Sequence, residues 1–283
     1  MSSHFSLVAL IALFASSSFA APATQPADGK TIRCAVIGGM METNFWPALT
    51  ERFEKQFGLK VELVASGPKD EIDKTFRKGG VDLIVMHSSD TMINLVADGL
   101  AENPQPWMRN DMLIVGPPDD PAGIKGEKDA LSALKKIAAA KSPFVVHSSL
   151  GAQEVLKTIL DEGSITLDPQ STTILFEDRQ RRVLGIAAEK KAYTMIGRIP
   201  FLTGKIPNGG LVIMVRGDPR LRRPYLVATA NPARVTGARS DAARKLAAFL
   251  REPGTQQWIG DFGKGQLDDL PIFYAVEVGG KTR

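Results

Sequence analysis

The sequence predicts an α/β protein of two lobes, each a mainly parallel sheet flanked by helices, joined by two hinge crossings. Three observations predict it. Short apolar runs at 32–37, 61–64, 81–86, 144–146 and 211–215 alternate with segments of helical spacing, the pattern of a parallel sheet covered on both faces. A further apolar run, 112–115, is stopped by Pro117, Pro118, Asp119, Asp120, Pro121 and Gly123, because proline has no backbone donor with which to continue a strand. A fresh series of helix and strand signals follows, so one lobe hands the chain to another there; the simpler alternative is a strand ending in a surface turn. Finally, the turn-rich stretch 217–224 returns the chain through 225–230 to the first lobe. The expected bounds are 31–113 and 224–283 for the first lobe and 114–223 for the second. Two crossings make a hinge of the kind that closes around a ligand.

In chain order, residues 1–20 read as a signal peptide. The apolar run 5–15 is shorter than the ~20 residues of a membrane span, and Ser18 and Ala20 are small residues spaced for cleavage before Ala21. The run lacks the usual Lys or Arg in front of it, carrying only His4, which leaves a buried N-terminal helix as the alternative. No cysteine stands directly after the cleavage point to take a lipid anchor. Residues 21–30, rich in Ala, Pro, Thr and Asp, read as a disordered leader. The expectation is a monomer, soluble in the periplasm or extracytoplasmic space after cleavage.

Composition agrees with a large globular body. The 283 residues, 43% of them hydrophobic, suffice for a large core or two lobes. The single cysteine, Cys34, has no internal disulfide partner and sits inside the first strand signal, where a small buried side chain is expected. A formal net charge of +4 suits a protein that meets anions and is too weak to argue for nucleic acid.

Phe45, Leu49, Phe53 and Phe57 have helical spacing, with Gly58 placed as a C-terminal cap. Residues 70–78 and 91–97 read as further helices. In a parallel sheet, ligands sit beyond the carboxyl ends of the strands. That rule selects three strand-to-helix loops in the first lobe: 38–44, which contains Gly39 and Thr43; Ser66-Gly67-Pro68; and His87-Ser88-Ser89. Helix N-termini offer unpaired N–H groups and partial positive charge, which favour anions. Thr43, Ser66, Ser88 and Ser89 serve equally well as helix caps, the alternative for each of them. In the second lobe, 130–139 is a helix, and His147-Ser148-Ser149-Leu150-Gly151-Ala152-Gln153 opens the helix through Leu160. Ser240 is placed to cap a helix through Leu250, and Pro253-Gly254 separates it from a short helix over 255–262.

The stretch NDMLIVGPPDDPAGIKG (110–126), with DALSALKKIAAAKSPF (129–144), AEKKAYT (188–194), GDPRLRRPYLVATANP (217–232) and 249–263, resembles bacterial extracytoplasmic solute-binding proteins. Within them it is similar to the tungstate-binding subunits of ABC importers. The resemblance covers nearly the whole chain after the leader and implies the type II periplasmic binding protein fold. It implies an oxyanion ligand such as tungstate or molybdate, a transmembrane permease partner and no cofactor. The ligand-facing loops depart from the family. A run of threonines and serine after the first strand is replaced by Gly38-Gly39-Met40-Met41-Glu42-Thr43, which keeps one hydroxyl and adds an acid that repels an oxyanion if it points inward. Met40 and Met41 suit a less polar ligand or, without any Cys or His cluster in support, a soft metal. Ser66-Gly67 and His87 keep the family pattern. In the second lobe His147 stands where the family has an arginine, and Leu150-Gly151-Ala152 replaces Ser-Gly-Thr, keeping Gly151. A histidine there, with a pKa near ~6.5, makes pH-dependent affinity an expectation. Arg198 matches a family arginine but lacks its acidic neighbour. Arg179, Arg181 and Arg182 are either solvated surface charge or partial compensation for the lost arginine.

The expected ligand contacts are therefore Gly39, Thr43, Ser66, Gly67, His87, Ser88, Ser148, Ser149, Gly151, Arg179 and Arg198. No hydrolase, zinc-protease or phosphate-loop motif is present. His87 and His147 near Ser88 or Ser149 make a serine–histidine pair conceivable, without an evident acid partner. The reading is a non-enzymatic binding protein that delivers a small anion to an ABC importer. Alternatives are another small organic or phosphorus-containing anion, or a sensory or adaptor protein of the same fold.

Overall fold

The computed structural model describes residues 29–147, 150–176 and 180–277. The expected signal peptide and nearly all of the leader lie outside them. The chain opens with β1 (Thr31–Ile37), α1 (Gly39–Glu42), α2 (Phe45–Phe57), β2 (Lys60–Gly67), α3 (Lys69–Arg77), β3 (Leu83–His87) and α4 (Asp90–Ala97). It crosses on β4 (Ala101–Gly116) and continues through α5 (Ala130–Ala139), β5 (Phe144–His147), α6 (Leu150–Glu162), β6 (Thr172–Leu175), α7 (Gln180–Glu189), β7 (Tyr193–Gly197), α8 (Arg198–Leu202) and β8 (Val212–Val215). It returns on β9 (Arg222–Ala230) and closes with α9 (Ser240–Phe249), α10 (Pro253–Asp261) and β10 (Tyr274–Ala275).

The strands lie in the order β2-β1-β3-β9-β4-β7-β5-β6, with β8 and β10 also on β4. β1 runs parallel to β2 and β3, and β5 runs parallel to β6 and β7. The two crossing strands, β4 and β9, pair antiparallel with each other and with their neighbours. One core, built on Ile32, Phe45, Trp107 and Phe273, runs along the chain as far as Met108 and takes up β9 and the C-terminal segment. Beyond Met108 the alternation of β4 feeds two further cores. Met112 and Ile114 face Ala133, Ile137 and Ile159 of α5 and α6, while Leu113 and Val115 face Val183 and Leu184 of α7. Successive residues of a strand point to opposite faces, so this half has a helical layer on each side.

β4 is far longer than the run 112–115 visible in the sequence. Pro104 and Pro106 hide its first part, since proline removes a ladder donor. The ladder accommodates them with register shifts at Glu102/Gln105 and Pro106/Met108 and with Asn103 at φ 52°. β4 ends where Tyr193 crosses it: a Cβ at Gly116 would come within 2.3 Å of the ring. The Tyr193 hydroxyl donates to Asp120 Oδ1 at 2.7 Å and accepts from the Ala122 N–H at 2.9 Å, pinning the proline-rich turn.

Gly58 caps α2 as expected, at φ 65° with its N–H on Glu54 O. Ser240 does not cap α9; Arg239 occupies that position, and the Ser240 hydroxyl is buried without a partner among the described residues. Segment 193–197 is strand β7. Cys34 is fully buried, and burial pushes its thiol well above the usual range, so it is a packing residue.

Candidate functional site

β1, β2 and β3 are read out at one edge, and the segments leaving their carboxyl ends form one wall of a cavity of about 330 Å³. Gly38, Gly39 and Glu42 follow β1, Gly67 and Pro68 end β2 and begin the next turn, and His87 ends β3. The opposite wall comes from the other half of the molecule: Gly197, Ile199 and Pro200 at the β7–α8 junction, then Lys205 and Ile206. The floor is the pair of crossing strands, with Asn110 of β4 beside Arg223 of β9 in register, and Tyr225 next along.

Arg223 is the centre of this site. Its Nε donates to Asn110 Oδ1 at 3.2 Å, and its Nη2 lies 2.7 Å from His87 Nε2. No carboxylate pairs with it among the described residues. Burial lowers its pKa, with weak support for the charge from Tyr225 and Glu154; a guanidinium remains charged regardless. Arg223 is half-buried; a cation drawn partly out of water without a counter-ion is costly, and an anion supplied from outside reduces that cost. Room for Arg223 is made by Gly151 at the start of α6, where a Cβ would lie 1.5 Å from Nη1.

His87 is held neutral. Burial takes its pKa well below the usual value, and the charges of Arg223 and Lys69 push it further. Because Arg223 has only protons to offer, His87 Nε2 accepts and the ring proton sits on Nδ1. Its ring packs against Tyr225 with centroids 4.3 Å apart. Lys69, nearby on α3, is lowered to about 8 by burial and by Arg223. At the rim, Glu42 and Lys205 form an ion pair between the two walls. Glu42 thus lines the cavity, with its charge met by Lys205.

The structure brings Gly39, Gly67 and His87 together in the cavity. Thr43 instead turns its hydroxyl back to Gly39 O at 3.2 Å, satisfying its own helix, and is buried outside the walls. Ser66 is half-buried on β2 and is not part of the walls. Ser88 uses its N–H on Pro224 O and lines a smaller neighbouring pocket with Glu154 and Arg220. Gly151 acts by absence, admitting Arg223. Arg198 is fully buried and points away from the cavity: it bonds Asp111 at 2.8 Å, Asp268 at 2.7 Å and the Pro271 carbonyl. Fully buried and tied to those partners, the side chain is not among the residues that line the cavity. Arg181 and Arg182 are exposed, and His147 is buried and is not among the residues that line the cavity. Ser148, Ser149 and Arg179 lie outside the described residues. Sequence reasoning missed Arg223, Asn110, Tyr225 and Lys205. The available signal was Arg222-Arg223-Pro224, adjacent cations leading into an apolar strand.

Two α/β lobes bridged by a strand pair, with a cavity between them, define a two-lobed binding protein. The chain belongs to the bacterial extracellular solute-binding protein family, whose model matches residues 33–263. It is 28% identical over 247 residues to a Haloferax volcanii protein carrying the provisional description ABC transporter anion-binding protein, covering 84% of this chain and 71% of the relative. It is 29% identical over 229 residues to the tungstate-binding protein TupA of Peptoclostridium acidaminophilum, covering 80% and 78%. The solved tungstate-binding protein TupA of Desulfovibrio alaskensis G20 superposes with a TM-score of 0.70 at 27% identity, covering 88% of this chain and 99% of that one. No helix among the described residues is long and apolar enough to cross a membrane.

Proposed function

We propose that this protein, exported by residues 1–20, captures a small anion in the cavity between its lobes and delivers it to the permease of an ABC importer. Arg223 carries this reading: a guanidinium on the cavity floor with neutral partners on two nitrogens and no carboxylate among the described residues. The relatives named for anion and tungstate binding support the same class of ligand.

The test is thermal unfolding and calorimetric titration of the chain from Ala21 onward with tungstate, molybdate, sulfate, phosphate and organic acids. A ligand at 100 times its dissociation constant adds ~2.7 kcal/mol, which raises the midpoint of a domain this size by roughly 5–10 °C. At least one anion gives that shift, and Arg223→Gln abolishes it. No shift with any anion overturns the proposal.

A further inference from the structure

Resting on that reading, we infer that the anion is a small organic monoanion, a monocarboxylate with a short apolar body, rather than an inorganic tetraoxyanion. Three observations converge. The cavity of about 330 Å³ is about twice the ~150 Å³ of an apolar cavity that takes up benzene. One central atom with four oxygens would leave more than half of it as water.

Among the described residues, the polar side chains that line the cavity besides Arg223 and the ion pair of Glu42 and Lys205 are few: Asn110, Tyr225 and His87. Ile37, Ile199, Pro200 and Ile206 line the cavity, and Thr43, the hydroxyl retained from the first loop, is turned into its own helix. Four apolar side chains around a single guanidinium are the complement of a ligand with one charged end and one apolar end, as in most organic-ligand pockets.

The charge balance also points to a monoanion. Arg223 and Lys205 are positive, Glu42 is negative and paired with Lys205, and His87 accepts from Arg223 as a neutral ring. Behind the walls Lys69 and Glu154, opposite in sign, both act on Arg223. Among the described residues, the cavity therefore holds one uncompensated positive charge. A dianion would be met by one cation and would face the Glu42 carboxylate, a like-charge contact that disfavours it. A monocarboxylate matches the count, and its planar oxygens suit a guanidinium edge. Nη1, beside Gly151, has no acceptor among the described residues.

The experiment is calorimetric titration with butyrate, isovalerate, hexanoate and benzoate, with the amide of each, and with succinate, tungstate and molybdate. It uses wild type, Arg223→Gln and Glu42→Gln, with circular dichroism and unliganded melting checking each variant's fold. The expected result is one-to-one binding of a monocarboxylate, no binding of its amide and at least a thirtyfold loss in Arg223→Gln. Glu42→Gln is expected to shift preference toward the dianions by about tenfold. Tight binding of tungstate or molybdate with no monocarboxylate bound overturns this inference and leaves anion capture standing. A monocarboxylate bound equally well by folded Arg223→Gln overturns the assignment of the site. Failure of every anion overturns both readings.

Discussion

Replacing Arg198 by methionine removes the charge at the junction of the two halves while keeping most of the volume. Arg198 is fully buried and Asp111 is 1% exposed, so the substitution leaves a buried carboxylate facing an apolar side chain. Removing one partner of such a pair typically costs ~3–5 kcal/mol. Asp111 retains a hydrogen bond from the Tyr274 hydroxyl at 2.9 Å, with Arg222 nearby, and Asp268 retains Arg216 at 3.1 Å. These survivors place the loss at the lower end, about 3 kcal/mol, a large share of the ~5–15 kcal/mol that holds a domain together. The pH dependence has a definite sign. Burial already raises the Asp111 pKa above the usual carboxylate value, against the pull of Arg198, and removing Arg198 raises it further. A carboxyl whose folded pKa exceeds its unfolded one is stabilised by protonation, so the destabilisation shrinks as pH falls through that folded pKa. Urea unfolding of both proteins at pH 7.5 and pH 5 measures the difference directly. A loss below about 1 kcal/mol at pH 7.5, or a loss that grows at pH 5, would refute the reasoning.

Gly151→Ala places a methyl 1.5 Å from Arg223 Nη1; the guanidinium must shift from its present position, so anion-induced thermal stabilisation is expected to fall while circular dichroism stays native. His87→Gln bears on acid stability. Because the folded pKa of His87 is depressed, the stability it confers is complete above the unfolded value of ~6.5 and is lost as pH falls below it. The fall in melting temperature between pH 8 and pH 5.5 should therefore be smaller in the variant than in wild type. Tyr193→Phe removes the bonds to Asp120 and the Ala122 N–H, and a loss of about 1–2 kcal/mol in urea unfolding is expected.

Much of the fold was legible because it is encoded locally. Helix α5 runs over 130–139 as the sequence indicates, since Ala, Leu and Lys are strong helix formers and Asp129 caps it by accepting from Ser132 N at 2.7 Å. The first half of β4 was illegible because two prolines mask a strand that only its partners' bulges reveal. The candidate site was legible in part for a related reason. Loops at strand ends follow from topology, so Gly39, Gly67 and His87 could be placed from order alone. Arg223 could not, since its meaning depends on a missing side chain at Gly151 and on two residues of other strands, Asn110 and His87. Arg198 misled for the opposite reason: nothing near it in sequence announces Asp111 or Asp268.

The floor of the cavity is made of the same two strands that carry the chain between the cores. In a mechanism of this shape those strands are the axle, and a point moves on rotation in proportion to its distance from the axle. Asn110, Arg223 and Tyr225 sit on it, so a ligand gripped there would keep its first contact at every angle of opening. Glu42 and Lys205 sit at the rim, on opposite walls, where the same rotation produces the longest travel. On the proposed reading the molecule would separate two tasks along one radius: the hub would sense charge, and the rim would register how far the jaws have turned.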